Sequence, residues 1–136
     1  MILDSRTINT ELKNKIVKFT DLNAWKASHV LVVEIYKITL SFPKSEIFGL
    51  SNQVRRAIVS TTSNIAEGFG RRGYKEKIQF YYMAQGSLTE VENQILVACD
   101  VCYIDEKCFN LLNDHLGDAQ RLLQGLIKKT KELSVV

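Results

Sequence analysis

Cys99 and Cys102 stand in a CxxC spacing, the pattern most suggestive of chemistry in this chain of 136 residues. Two thiolates so placed can form half a zinc site or a redox dithiol. Zinc needs two more ligands, and only Cys108 and His115 lie nearby. A redox pair normally opens a helix, where the dipole lowers the thiol pKa. These two fall near the end of a long periodic segment, on its apolar side. Packing is the expected role, and metal or redox chemistry the competing one. Three cysteines, an odd number, do not make a disulfide framework. His29 lies on an apolar seam and His115 stands alone, so both read as core histidines. Glu34, Glu67, Glu90 and Glu92 evoke di-iron bundles, but those need Glu-x-x-His pairs on two helices, which this chain lacks. There is no glycine-rich phosphate loop. No catalytic residue, metal ligand or cofactor emerges, and the chain is not expected to be an enzyme.

A second cluster is basic. Arg71, Arg72, Lys75 and Lys77, interrupted by Glu76, follow a glycine turn and surround Tyr74. Such side chains reach phosphates, Gly70 and Gly73 keep the backbone accessible, and the tyrosine offers a ring for an unpaired base. The competing reading is a solvated turn at the end of a bundle. The net charge of +3 permits nucleic-acid binding without arguing for it.

These residues must be held by helices. The chain has one proline, and 46% of its residues are hydrophobic and 24% charged, as in an ordinary globular domain. Residues 1–18 are polar and mixed, with Ile8, Leu12 and Ile16 at helical spacing, and read as a mobile arm or short helix. Residues 19–136 read as one domain. The first helix, from Leu22, carries two apolar seams side by side. One is Leu22, Trp25, His29, Val32, Tyr36 and Thr39; the other is Ala24, Ser28, Leu31, Ile35, Ile38 and Phe42. Pro43 ends it. Such a wide apolar arc exceeds what one bundle covers, so Trp25, Val32, Ile35 and Tyr36 are expected to pack between subunits. The second helix, about Leu50 to Glu67, continues through Ser60-Thr61-Thr62-Ser63-Asn64. Five small polar residues also suit a loop, but the apolar spacing runs through them to Ile65. Gly68 and Gly70 are expected to close this helix. The third runs from about Lys75 to Cys102, and Asp105 caps the fourth.

Short connections force neighbouring helices to be antiparallel, so the expected fold is an all-α, up-down-up-down antiparallel four-helix bundle. If the second hairpin turns near Arg72, Ser60 faces Gly86, Arg56 faces Glu90 and Gln53 faces Glu92. Gly86 then permits close approach of the helices. Arg56 and Glu90 read equally well as a buried pair or as a solvated face.

The stretches FTDLNAWKASHVLVVEIYKIT, FPKSEIFGLSNQVRRAIVSTTSNIAEGFGRR and AQGSLTEVENQILVACDVCYI resemble a known family. Its members are four-helix-bundle proteins encoded by intervening sequences within bacterial 23S rRNA genes, related to the accessory protein of diversity-generating retroelements. The likeness spans about Phe19 to Leu133. Its motifs Asn-Ile-Ala-Glu-Gly-x-Gly-Arg and Gly-Ser-x-x-Glu place Asn64, Glu67, Gly68, Gly86 and Glu90, and the helix pairing adds Gln53, Arg56 and Ser60 as structural positions. The resemblance implies a homo-oligomer, a pentamer in the relatives, and nucleic acid (RNA or DNA) and a reverse transcriptase as partners. The three cysteines and the extended arm depart from the family pattern. A cytoplasmic location is expected, since no stretch has a signal-peptide layout or the length to span a bilayer. A protein-interaction scaffold without nucleic-acid binding is the alternative function.

Overall fold

The computed structural model describes residues 15–135. Most of the expected N-terminal arm, residues 1–14, lies outside the described residues, as does residue 136. A 3-10 turn at Phe19–Asp21 leads into α1 (Asn23–Thr39), and a second at Lys44–Glu46 precedes α2 (Leu50–Gly70). Then follow α3 (Tyr74–Asp100) and α4 (Glu106–Ser134). Each helix packs on its neighbours in sequence and α1 also packs on α4, with α2 and α3 the most extensive pair. This is a closed up-down-up-down four-helix bundle.

The two seams of α1 separate. Ala24, Ser28, Leu31 and Ile35 of the second seam are buried, while the first is buried only at its ends, Leu22 and Thr39, and leaves Trp25, Val32 and Tyr36 at the solvent edge. Ser28 and Thr39 enter the core by donating to backbone carbonyls one turn back, Ala24 O at 2.8 Å and Ile35 O at 2.7 Å. The helix stops before the expected Phe42. Residues 40–42 form single turns, such as Phe42 N to Thr39 O at 3.2 Å, which swing the Phe42 ring inward against Tyr103.

The small polar run of α2 is helical because its side chains turn back on their own helix. Thr61 donates to Ala57 O at 2.9 Å, Thr62 to Val59 O at 3.0 Å, and Asn64 Nδ2 to Ser60 O at 2.9 Å. Groups that would favour a loop are thereby satisfied in the helix. The helix does not close at Gly68. It continues to Gly70, and buried Gly68 packs beneath the ring of Tyr81.

α3 ends two residues earlier than expected, through a left-handed residue. Cys102 has φ 66°. Its amide donates to Cys99 O at 3.0 Å, and the next, Tyr103 N, reaches Ala98 O at 2.8 Å. This paired closure satisfies the last carbonyls of the helix. Asp105 Oδ1 then accepts from Cys108 N at 2.7 Å and caps α4 as expected.

Candidate nucleic-acid interface

The basic turn is held between two helix ends, and its cations differ in what they can do. Lys77 turns back rather than out. Its Nζ donates to Phe69 O at 2.6 Å and Gly68 O at 3.3 Å, over the Phe69 ring. It caps the C-terminus of α2 with a charge that suits the helix dipole. Burial lowers its pKa from the usual lysine value. Lys77 is therefore a structural cap, in contrast to the phosphate-binding role expected of it. Arg71 is partly committed: its Nη2 lies 3.3 Å from Glu67 Oε2 and its guanidinium 4.6 Å from the Phe80 ring centroid. Arg72, Tyr74 and Lys75 are exposed, and among the described residues none of their side chains has an ion-pair or hydrogen-bond partner. The cluster thus reduces to two free cations flanking a half-exposed ring, with Arg71 beside them.

Above the turn, α2 and α3 enclose a polar groove lined by Gln53, Arg56, Ser60, Ser87, Glu90 and Gln94, among others. The hydroxyls of Ser60 and Ser87 meet at 2.9 Å, so Ser60 faces Ser87 and not Gly86. Gly86 is exposed, and a Cβ added there would meet nothing within 4 Å. The expected close approach occurs at Gly68 instead. Arg56 and Glu90 share the groove but form no ion pair within 4.0 Å; both are exposed, which agrees with the solvated reading. Gln53 does not face Glu92. Glu92 points to α4, where its Oε2 accepts from Gln120 Nε2 at 3.1 Å.

The expected subunit-contact residues divide. Ile35 is 0% exposed and belongs to the core, because it lies on the buried seam of α1. Val32 and Tyr36 line an apolar surface groove with Val33, Leu40 and Arg55. Arg55 holds one wall: its Nε donates to Thr39 Oγ1 at 2.7 Å, and its guanidinium lies 4.8 Å from the Tyr36 ring centroid. Val33, Leu40 and Arg55 were not anticipated. Val33 and Leu40, apolar residues outside both seams, were the available signal, and Leu40 is 81% exposed. Trp25 is half-buried and stacks on His29, ring centroids 4.5 Å apart at 12°. His29 is exposed, so it is not a core histidine; the aromatic stack accounts for its place on the seam. His115 is half-buried.

The cysteines are all free thiols. Cys99 packs against the core as expected, whereas Cys102 is exposed because it forms the left-handed turn. Burial pushes the Cys108 thiol up, helped by the charge of Asp105. Among the described residues no group of three or more His, Cys, Asp or Glu side chains could hold a metal, and no helix is long and apolar enough to cross a membrane.

Fold and surface define the class: an up-down helical bundle whose solvent face offers a basic turn at one end and an apolar groove along one side. Residues 20–125 match the family of 23S rRNA-intervening sequence proteins, and the chain belongs to that family. It is also similar to the crystal structure of a protein of unknown function from the S23 ribosomal protein family of Bacteroides thetaiotaomicron VPI-5482. That likeness has a TM-score of 0.71 at 21% identity, over 77% of this chain and 98% of the other. At such identity it speaks for the fold. No curated protein matches the sequence.

Proposed function

We propose that this protein is a non-enzymatic, cytoplasmic, nucleic-acid-binding accessory protein that works as a cyclic homo-oligomer. The observation that carries the nucleic-acid reading is the trio Arg72, Tyr74 and Lys75. Its side chains are exposed on the well-packed α2–α3 hairpin. Two cations beside an aromatic face suit a phosphate backbone with an unpaired base. Two free cations per chain make a weak site, and repetition around a ring would let several act together. The apolar groove of Val32, Val33, Tyr36 and Leu40 supports self-association, since a second copy would cover it. The pentamer is the subunit number that the resemblance favours. A reverse transcriptase encoded beside the gene would add a partner protein to this reading.

A scaffold without nucleic-acid binding is the second reading, favoured by the engagement of Lys77 and Arg71 within the chain. A salt titration of RNA and DNA binding by the purified protein separates the two. Phosphate contacts require affinity to fall steeply with salt, and no binding at low salt would leave the scaffold. Light scattering coupled to size exclusion checks the assembly, with a mass near that of five chains expected and a monomer at micromolar concentration opposing it.

A further inference from the structure

The antiparallel course of the helices gathers three basic segments, distant in sequence, at one end of the bundle. Lys15 and Lys18 precede α1, Arg72 and Lys75 flank Tyr74, and Lys128 and Lys129 lie near the end of α4. All six side chains are exposed. Two contacts fix the juxtaposition. Lys131 Nζ lies 5.0 Å from the Tyr82 ring centroid, which sets the last turns of α4 against the third turn of α3, two turns from the basic turn and within the sweep of long lysine side chains. Phe19 shares a surface groove with Ala66, Gly70 and Arg71, which sets the segment before α1 against the end of α2.

Four acidic residues share this end, two of them engaged and two, Glu76 and Glu132, exposed and without an ion pair among the described residues, so the cations still outnumber them. Asp21 accepts the amides of Val17 and Lys18, each at 2.9 Å, and Glu67 pairs with Arg71. The opposite end is acidic: Glu34, Glu46, Asp100, Asp105 and Glu106 outnumber Lys37, Lys44 and Lys107 there. The small net charge therefore conceals a bundle polarised along its axis.

We propose that the whole basic end, and not the α2–α3 turn alone, is one composite face that takes a nucleic-acid backbone end-on, irrespective of base sequence. The proposal rests on the nucleic-acid reading above and specifies its site and its mode. Five of the six cations are lysines, point charges without the planar fork that reads base edges. They position a backbone rather than select a sequence. The acidic far end repels the same polyanion, so the field turns the basic end toward it during approach. An anionic membrane is the other polyanion available. Surface-lying membrane helices, however, spread their cations along one amphipathic face, whereas these cations come from the terminal turns of separate elements.

The test measures fluorescence anisotropy of the full chain with a labelled RNA strand of mixed sequence, its scrambled version, and the corresponding duplex, across a salt series. Phosphatidylglycerol vesicles provide the membrane arm. K128A/K129A should reduce the magnitude of the log–log salt slope by about 1.5 per engaged subunit, as should R72A/K75A. K44A/K107A, at the acidic end, should leave it unchanged, and thermal midpoints check that each variant is folded. Equal affinity for the two RNA strands, within about threefold, is expected of contacts to the backbone alone. A slope reduced by R72A/K75A but not by K128A/K129A overturns the composite face and leaves nucleic-acid binding at the turn standing. An equal loss in K44A/K107A, a tenfold preference between the RNA strands, or tighter binding to vesicles than to RNA also overturns it. Failure of the unaltered protein to bind any nucleic acid at 50 mM salt, roughly the low end for such measurements, removes the parent reading and this one together.

Discussion

A methyl group added at Gly68 would stand 2.6 Å from Cε1 of Tyr81 and 3.0 Å from Cβ of Phe80. The Tyr81 ring is itself buried and cannot swing aside without opening the core. Gly68→Ala should therefore cost about 1–3 kcal/mol through overpacking. Gly86→Ala, on an exposed helical face with open space around it, should stabilise by about 0.5–1 kcal/mol, because alanine favours the helix. Urea unfolding of the two variants checks the contrast, and equal effects would show that α2 and α3 are not close at Gly68. Tyr81 also carries a pH signature. Burial pushes its phenol up to about 12 from a usual value near 10.0. The folded state thus holds a proton that the unfolded chain releases above about pH 10. Stability is fully present below that pH and declines as pH rises toward 12. Tyr81→Phe should flatten this alkaline decline, as followed by unfolding at a series of pH values.

Helix ends are the places where this chain spends its unusual residues. The α2 C-terminus is closed from outside by Lys77, whose ammonium holds the carbonyls of Gly68 and Phe69. Lys77→Met keeps the aliphatic stem and removes those bonds, so it should lower stability by about 1 kcal/mol. The salt dependence of the proposed nucleic-acid binding should be the same with and without the change, since this charge faces the helix end. A weakened salt slope in a folded Lys77→Met protein would return Lys77 to the binding surface. α3 closes on Cys102 at φ 66°, a region where a β-carbon is strained and glycine is not. Cys102→Gly should raise the melting temperature slightly, by relief of about 0.5–1 kcal/mol of strain. In the unaltered protein the exposed Cys102 thiol should react with an alkylating reagent ahead of Cys108, which is half-buried and whose thiol pKa burial raises.

At the scale of the whole molecule, the apolar groove on α1 is the feature a lone bundle leaves uncovered. Val33 and Leu40 line it without contributing to the buried core. If the proposed homo-oligomer is built on this groove, Val33→Lys combined with Leu40→Lys should yield monomers while preserving helicity, because neither side chain belongs to the buried core. Light scattering reads the mass and circular dichroism the helices. An intact oligomer in that variant would place the subunit contact on another face. Phe48, which is 93% exposed at the mouth of the α2–α3 groove, is the next residue to alter in that event.

The sequence by itself determined the number and order of the helices, since apolar residues at steps of three and four persist through each one and short links force antiparallel neighbours. It also located the α4 cap at Asp105 and carried the helix through the run Ser60 to Asn64, because both depend on interactions within a few residues. Only the tertiary structure decided which seam of α1 is buried. Both seams fit the helical period, and packing selects the one holding Leu31 and Ile35 and leaves Val32 and Tyr36 outside. The same holds for α3. Its buried line runs through Tyr81, Ala84, Leu88 and Val91, and because consecutive helical residues point about 100° apart, a one-residue change in the facing pair turns Gly86 to solvent and brings Ser87 to Ser60. The division of the basic turn into caps and free cations likewise arises across helix ends, where spacing along the chain carries no information about which lysine bends inward.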